Sequence, residues 1–195
     1  MPTLINPTYQ IIDSESCTII ATAHQSSSIP KTHKKHQQST AVRELLRWVQ
    51  AELSLVAPLI EIAFPYYFIH DDRRYFVGFS HSQDSIALIV SHQPCAIDIE
   101  LRNIAWQVAA RFFHPNELAI LQGFATDEQP TLINALWRLK ECWIKLNRGT
   151  LTHGLGVDFG ELIPQLMTDD DFDYQDWRIY HDNTCRLTAI HLLDR

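Results

Sequence analysis

From the N-terminus to about Ala23, apolar and polar positions alternate weakly, the period-2 pattern of strands. A polar stretch from Gln25 to Gln38, carrying Lys31, His33, Lys34, Lys35 and His36, then predicts a loop running into a helix. From Thr40, the residues Val42, Leu45, Leu46, Val49 and Leu53 recur at helical spacing, which stops before Pro58. A meander is predicted next: a strand from Tyr75 to Phe79, a Ser82-Gln83-Asp84-Ser85 turn, a strand from Ile86 to Val90, a His92-Gln93-Pro94 turn, and a strand from Cys95 to Glu100. In that last strand alternation puts Cys95, Ile97 and Ile99 on the buried face and Asp98 and Glu100 side by side on the other. Helices follow at about Ala105 to Phe113 and from Pro115, whose Glu117 sits near the positive end of the helix dipole. Another runs from Leu132 to Asn147, with Gly149 placed as its C-terminal cap, and a hairpin of Trp177 to Tyr180 and Arg186 to Leu192 turns through Asp182-Asn183.

The 195 residues, 46% of them hydrophobic, suffice for a proper core in one domain or two half-size ones. A net charge of −7 argues against a nucleic-acid surface, which needs an excess of Lys and Arg, so any anionic ligand must meet a local basic patch. The longest apolar run, Ile86 to Val90, is far short of a membrane span, and Met1-Pro2-Thr3 does not open a signal pattern, so a soluble, cytoplasmic protein is expected. Cys17, Cys95, Cys142 and Cys185 are scattered without a Cys-x-x-Cys pair, and read as free thiols, mostly buried, rather than as a zinc site or a disulfide.

Candidate chemistry gathers on two elements. Trp137, Glu141 and Lys145 recur at i, i+4 and i+8, so one helical stripe presents an acid followed one turn later by a base. Together with Asp98 and Glu100, this makes three carboxylates and an ammonium on rigid elements, a set suited to a hard divalent cation such as Mg2+ holding a polyphosphate. Taken singly, each piece is ordinary: a strand ending Asp-x-Glu is commonly a solvated edge, and Glu141 with Lys145 is a common helix pair. Gly78-Phe79-Ser80-His81-Ser82 comes within one residue of Gly-x-Ser-x-Gly, but the missing glycine and the absence of a following helix argue against a nucleophile. The acidic run Asp169-Asp170-Asp171-Phe172-Asp173 lacks the spaced ligands and glycine of a calcium loop.

The ordered set Phe79-Ser80-His81-Ser82, Ile97-Asp98-Ile99-Glu100, Arg111-Phe112-Phe113 with Glu117, and Trp137-x-x-Lys140-Glu141-x-x-x-Lys145 resembles the 4′-phosphopantetheinyl transferases of the larger, surfactin-synthetase-activating type, over about Phe76 to Leu155. The resemblance implies an α+β fold of two similar subdomains, each a small, mainly antiparallel sheet packed with helices, with the active site at their interface. Residues 1–94 would form the coenzyme A-binding half and 95–195 the half with the metal-binding and catalytic motifs. It further implies transfer of the 4′-phosphopantetheine arm of coenzyme A to a serine of an apo acyl or peptidyl carrier protein, releasing 3′,5′-ADP. Asp98, Glu100 and Glu141 match the family's metal-binding acids, for Mg2+ or Mn2+. Glu141 also stands where the attacking hydroxyl is activated, directly or through water, and Lys145 would face the pyrophosphate. Ser80 and His81, with Lys31, Lys34 and Lys35, are the expected contacts to the 3′-phosphate. Carrier contacts are expected from Arg102, Arg111, Phe112 and Glu117, and a monomer is expected because both halves lie in one chain. Three departures stand out: Gly78 where asparagine is frequent, Ala96 where glycine is usual, and Phe64-Pro65-Tyr66 where a Lys-Pro element is expected. Two other readings of the same residues are a non-catalytic coenzyme A or carrier-binding module, and a metal-dependent hydrolase of nucleotide pyrophosphates.

Overall fold

The structure is a computed structural model and describes residues 4–25, 34–148, 154–168 and 170–193, the side chains of 34–36 excepted. Lys31 and Gly149 lie outside the described residues, as do the side chains of Lys34 and Lys35. Among the described residues the elements are, in chain order, strands β1 (Leu4–Asp13) and β2 (Thr18–Gln25), helix α1 (Lys34–Glu52), strands β3 (Tyr66–His70), β4 (Arg73–Ser82), β5 (Ser85–Ser91) and β6 (Cys95–Ile99), helices α2 (Trp106–Phe112), α3 (Pro115–Gln122) and α4 (Gln129–Leu146), two 3-10 turns, and strands β7 (Phe172–Tyr174), β8 (Trp177–Asp182) and β9 (Leu187–Leu192).

All strand pairings are antiparallel and fall into two sheets, β1-β2-β5-β4-β3 and β6-β9-β8-β7. Their apolar faces define four layers. On one side of the first sheet, Leu88, Val90, Val77 and Phe68 pack with Val42, Leu45, Leu46 and Val49 of α1. On its other side, Ile20, Ala87 and Ile89 meet Cys95, Ile97, Ile99, Tyr180 and Ala189 of the second sheet. The far face of the second sheet, through Ala96, Ile179 and Ile190, carries Leu132, Leu136, Leu139 and Cys142 of α4. The result is the expected α+β class, with two antiparallel sheets each covered by its own helical layer.

The predicted meander continues only as far as β5. Strand β6 does not pair with β5, whose two edges are already taken by β2 and β4; it crosses to the second sheet and pairs with β9. This leaves β6 at a sheet edge, and β4 covers it. Ser80 Oγ accepts a hydrogen bond from the Ile99 amide at 3.2 Å and Ser82 Oγ accepts one from the Leu101 amide at 3.1 Å. Side chains thus take over donors that an unpaired edge would leave orphaned. Gly78 permits the approach, because a Cβ there would lie 2.9 Å from Ile89 Cγ2 and 3.2 Å from the Ala96 Cα. Among the described residues no helix is long and apolar enough to cross a membrane.

Candidate active site

Asp98 and Glu100 project from β6 toward α4, as alternation requires, but that face is not solvated: each is only 7% exposed. The strand lies between β4 and α4, so its polar side chains are roofed as fully as its apolar ones. Ser80 Oγ donates to Asp98 Oδ1 at 2.9 Å, and Ser82 Oγ donates to Glu100 Oε1 at 2.7 Å. Ser80, expected at a phosphate, has its hydroxyl committed to this junction, whereas His81 points the other way along β4 and is exposed.

Helix α4 brings the second half of the set. Lys145 Nζ donates to the Ile97 carbonyl at 2.7 Å and to Asp98 Oδ1 at 2.8 Å. Burial by itself would lower the ammonium's proton affinity, but Asp98 outweighs it and holds Lys145 above the ordinary lysine value. One turn earlier, the half-buried Glu141 accepts no hydrogen bond from any described residue. Burial pushes its carboxyl above the ordinary range, the negative charges of Asp98 and Glu100 add to that, and Lys145 only partly offsets them. Glu100 behaves oppositely. It receives the Arg102 amide at 2.9 Å, Arg102 Nε at 3.1 Å and Nη2 at 2.8 Å, and these contacts hold it below the usual carboxylate range despite burial. The Arg102 side chain itself is 73% exposed.

Two expected carrier contacts stay at the surface of α2: the Arg111 guanidinium lies 5.2 Å from the ring centroid of the partly buried Phe112. Glu117 does not, and this corrects its expected place on a docking face. Its side chain is 0% exposed and pairs at 2.8 Å with Lys140 Nζ, also 0% exposed. It accepts further hydrogen bonds from the Phe159 amide at 2.7 Å and the His114 amide at 2.9 Å, the latter closing a capping box at the start of α3. Lys140 adds a hydrogen bond to the Leu155 carbonyl at 2.7 Å and lies between the rings of Phe113 and Phe159. In the sequence Lys140 stands out only as part of the Trp137-x-x-Lys140-Glu141 motif. Its spacing from Glu117, 23 residues along the chain, carries no local signal of a pair.

The donor set fits a hard divalent cation in kind. Asp98, Glu100 and Glu141 supply oxygen ligands, and the repulsion among them, which adds to burial in raising Glu141, is what a bound cation would relieve. Among the described residues no compact metal-binding cluster is formed, and Lys145 and Arg102 are paired with Asp98 and Glu100.

Residues 94–189, which hold both acids of β6 and the whole of α4, match the family model of the 4′-phosphopantetheinyl transferase superfamily. The matched stretch, just under half of the chain, is similar to that superfamily. Among relatives, the chain is 39% identical over 67 residues to the 4′-phosphopantetheinyl transferase gsp of Aneurinibacillus migulanus, covering 34% of this chain and 28% of that protein. It is 35% identical over 77 residues to the 4′-phosphopantetheinyl transferase psf-1 of Bacillus pumilus, covering 39% of this chain and 33% of that one. The aligned stretches thus span a third or less of those relatives' lengths. Gly78 lies against Ala96, so the small residue is on β4 and the methyl on β6.

Proposed function

We propose that the chain transfers the 4′-phosphopantetheine arm of coenzyme A to a serine of an apo acyl or peptidyl carrier protein, releasing 3′,5′-ADP, as a monomeric, Mg2+-dependent enzyme of the cytoplasm. The single observation that carries this reading is the convergence of Asp98 and Glu100 on β6 with Glu141 and Lys145 on α4, inside the stretch that matches the superfamily. Residues 1–94 serve the coenzyme A side, through His81, Lys31, Lys34 and Lys35, while Ser80 holds Asp98 in place, and residues 95–195 serve the metal and the chemistry.

In this mechanism Asp98, Glu100 and Glu141 would hold Mg2+ or Mn2+, which would supply positive charge against the negative charge developing on the leaving group. The rest falls to the chain's own groups. Lys145 stays charged throughout the neutral range because Asp98 raises it, so it can meet the pyrophosphate as a fixed positive charge. Glu141, with its carboxyl raised and no hydrogen bond from a described residue to occupy it, suits a proton acceptor for the carrier serine, directly or through water. The serine oxygen attacks the phosphorus that bears the pantetheine arm, that P–O bond forms as the bond to 3′,5′-ADP breaks, and the serine proton passes to the base. Arg102, which donates to Glu100 from a largely exposed side chain, would share that carboxylate with a bound cation. Arg111 and Phe112 offer the carrier a cation beside an apolar surface on a chain of net charge −7.

The test is incubation with coenzyme A, Mg2+ and an apo-carrier, followed by intact mass of the carrier. A holo-carrier mass gain is expected. Binding of coenzyme A with no mass gain would identify a non-catalytic module, and release of 3′,5′-ADP without a carrier would identify a pyrophosphate hydrolase.

A further inference from the structure

A cleft of about 340 Å3 opens between the first turns of α4, the segment after β6 and the β8–β9 turn, and is lined by Asn103, Thr131, Asn134, Arg138, Asn183 and Arg186. None of these residues belongs to the acid and lysine set described above. Arg138 is the informative member. It is 1% exposed, yet no carboxylate lies within ion-pairing distance among the described residues. Its two hydrogen bonds are long and go to neutral oxygens: Nε to Thr188 Oγ1 at 3.4 Å and Nη2 to Asn183 Oδ1 at 3.2 Å. Nη1 has no acceptor among the described residues. Asp98 and Asp182 act on the guanidinium only electrostatically, while burial, reinforced by the positive charge of Arg186, pulls it down to about 10. A buried guanidinium with most of its five donors idle is costly unless an anion completes it.

The surroundings supply the remaining requirements. Arg186 brings a second guanidinium to the same cleft, oriented by hydrogen bonds to the Leu101 carbonyl at 2.6 Å and to Asn103 Oδ1 at 2.8 Å. The Asn134 amide is fixed by donation to the Pro130 carbonyl at 2.8 Å and by acceptance from the Ile104 amide at 2.9 Å. Paired guanidinium forks match the oxygens of a tetrahedral oxyanion. We infer that this cleft is a phosphate-binding site, separate from the proposed catalytic centre, in which Arg138 and Arg186 hold a free phosphate or the phosphate of a monoester. The site does not depend on the proposed transfer reaction.

The experiment is thermal unfolding of the full chain in sodium phosphate against sodium chloride at matched ionic strength, repeated with 5′-AMP as the monoester. Wild type should be stabilised in a saturable, phosphate-dependent way. Thr131→Glu places a carboxylate at the exposed mouth of the cleft, in the first turn of α4 where acidic residues suit the helix, and should weaken phosphate at least about tenfold without harming the fold. Arg138→Met should abolish the effect. Lys145→Ala should retain it, since that lysine faces Asp98. Stabilisation by both ligands identifies free phosphate as sufficient, and stabilisation by 5′-AMP alone identifies the monoester. No stabilisation of wild type by either ligand, an undiminished effect in Thr131→Glu, or loss of the effect in Lys145→Ala would each overturn the inference.

Discussion

Glu117→Gln separates a docking residue from a buried one. The carboxylate and the Lys140 ammonium it faces are both 0% exposed and 2.8 Å apart. Removing one charge of a fully buried pair costs about 3–5 kcal/mol, chiefly because the other is left uncompensated. Here Lys140 would keep the Leu155 carbonyl and the faces of Phe113 and Phe159, which places the expected loss near the lower end, about 3 kcal/mol. Burial already holds the Lys140 ammonium below the ordinary lysine value, with Glu117 as the main opposing influence. For a chain of this size, about 3 kcal/mol corresponds to a Tm lower by about 6–12 °C. Urea unfolding should show a reduced midpoint at unchanged m, and the double variant Glu117→Leu/Lys140→Met should lose less than the sum of the single ones. In the fraction that remains folded, KM for the carrier should not move. A stability loss below about 1 kcal/mol, or a carrier KM raised at unchanged Tm, would refute the buried-pair account and return Glu117 to the surface.

Chelation with EDTA should abolish transfer, and Mg2+ or Mn2+ should restore it. Asp98→Asn and Glu100→Gln should lower transfer by about 100-fold or more and also cost about 1–3 kcal/mol in urea unfolding, since both acids are buried and bonded to β4 serines. Lys145→Ala should reduce kcat more than it raises KM for coenzyme A, and Glu141→Gln should be nearly inactive; equal losses at Lys145 would make it a binding residue only. Arg111→Glu should raise KM for an acidic carrier and leave that for coenzyme A nearly unchanged in steady-state assays, whereas reversal at Arg102 would also disturb Glu100 and is the less informative test. His191 is 1% exposed, and burial holds its imidazole below the ordinary value even with Asp13 nearby. The unfolded chain therefore binds a proton that the folded one refuses, so stability should fall as pH drops below about 6.5, and His191→Gln should flatten that slope in urea titrations from pH 7 to 5.

Periodicity and punctuation were enough to place α1 through Val42, Leu45, Leu46 and Val49, the helix of the Glu141 stripe, and the closing hairpin, because each is built from contacts a few residues apart. The same local rules found the acids on one face of β6 and the acid-to-base step on α4, and the order of the motifs pointed to the superfamily that residues 94–189 match. What lay beyond them depends on partners distant in the chain. Alternation says which way Asp98 and Glu100 point, but a strand's polar face reads as solvated until β4 and α4 are laid over it. Whether Cys95 to Ile99 extends the meander or opens a second sheet depends on β5 having both edges filled by β2 and β4. Tertiary structure also moved Glu117 from surface to interior and set Lys140 against it. It set Gly78 against Ala96, and buried Arg138 with no carboxylate of the described residues at ion-pairing distance. Hydrophobic pattern is a local property of the chain, whereas the charge state and accessibility of a buried group are set by whatever the fold brings within a few ångströms of it.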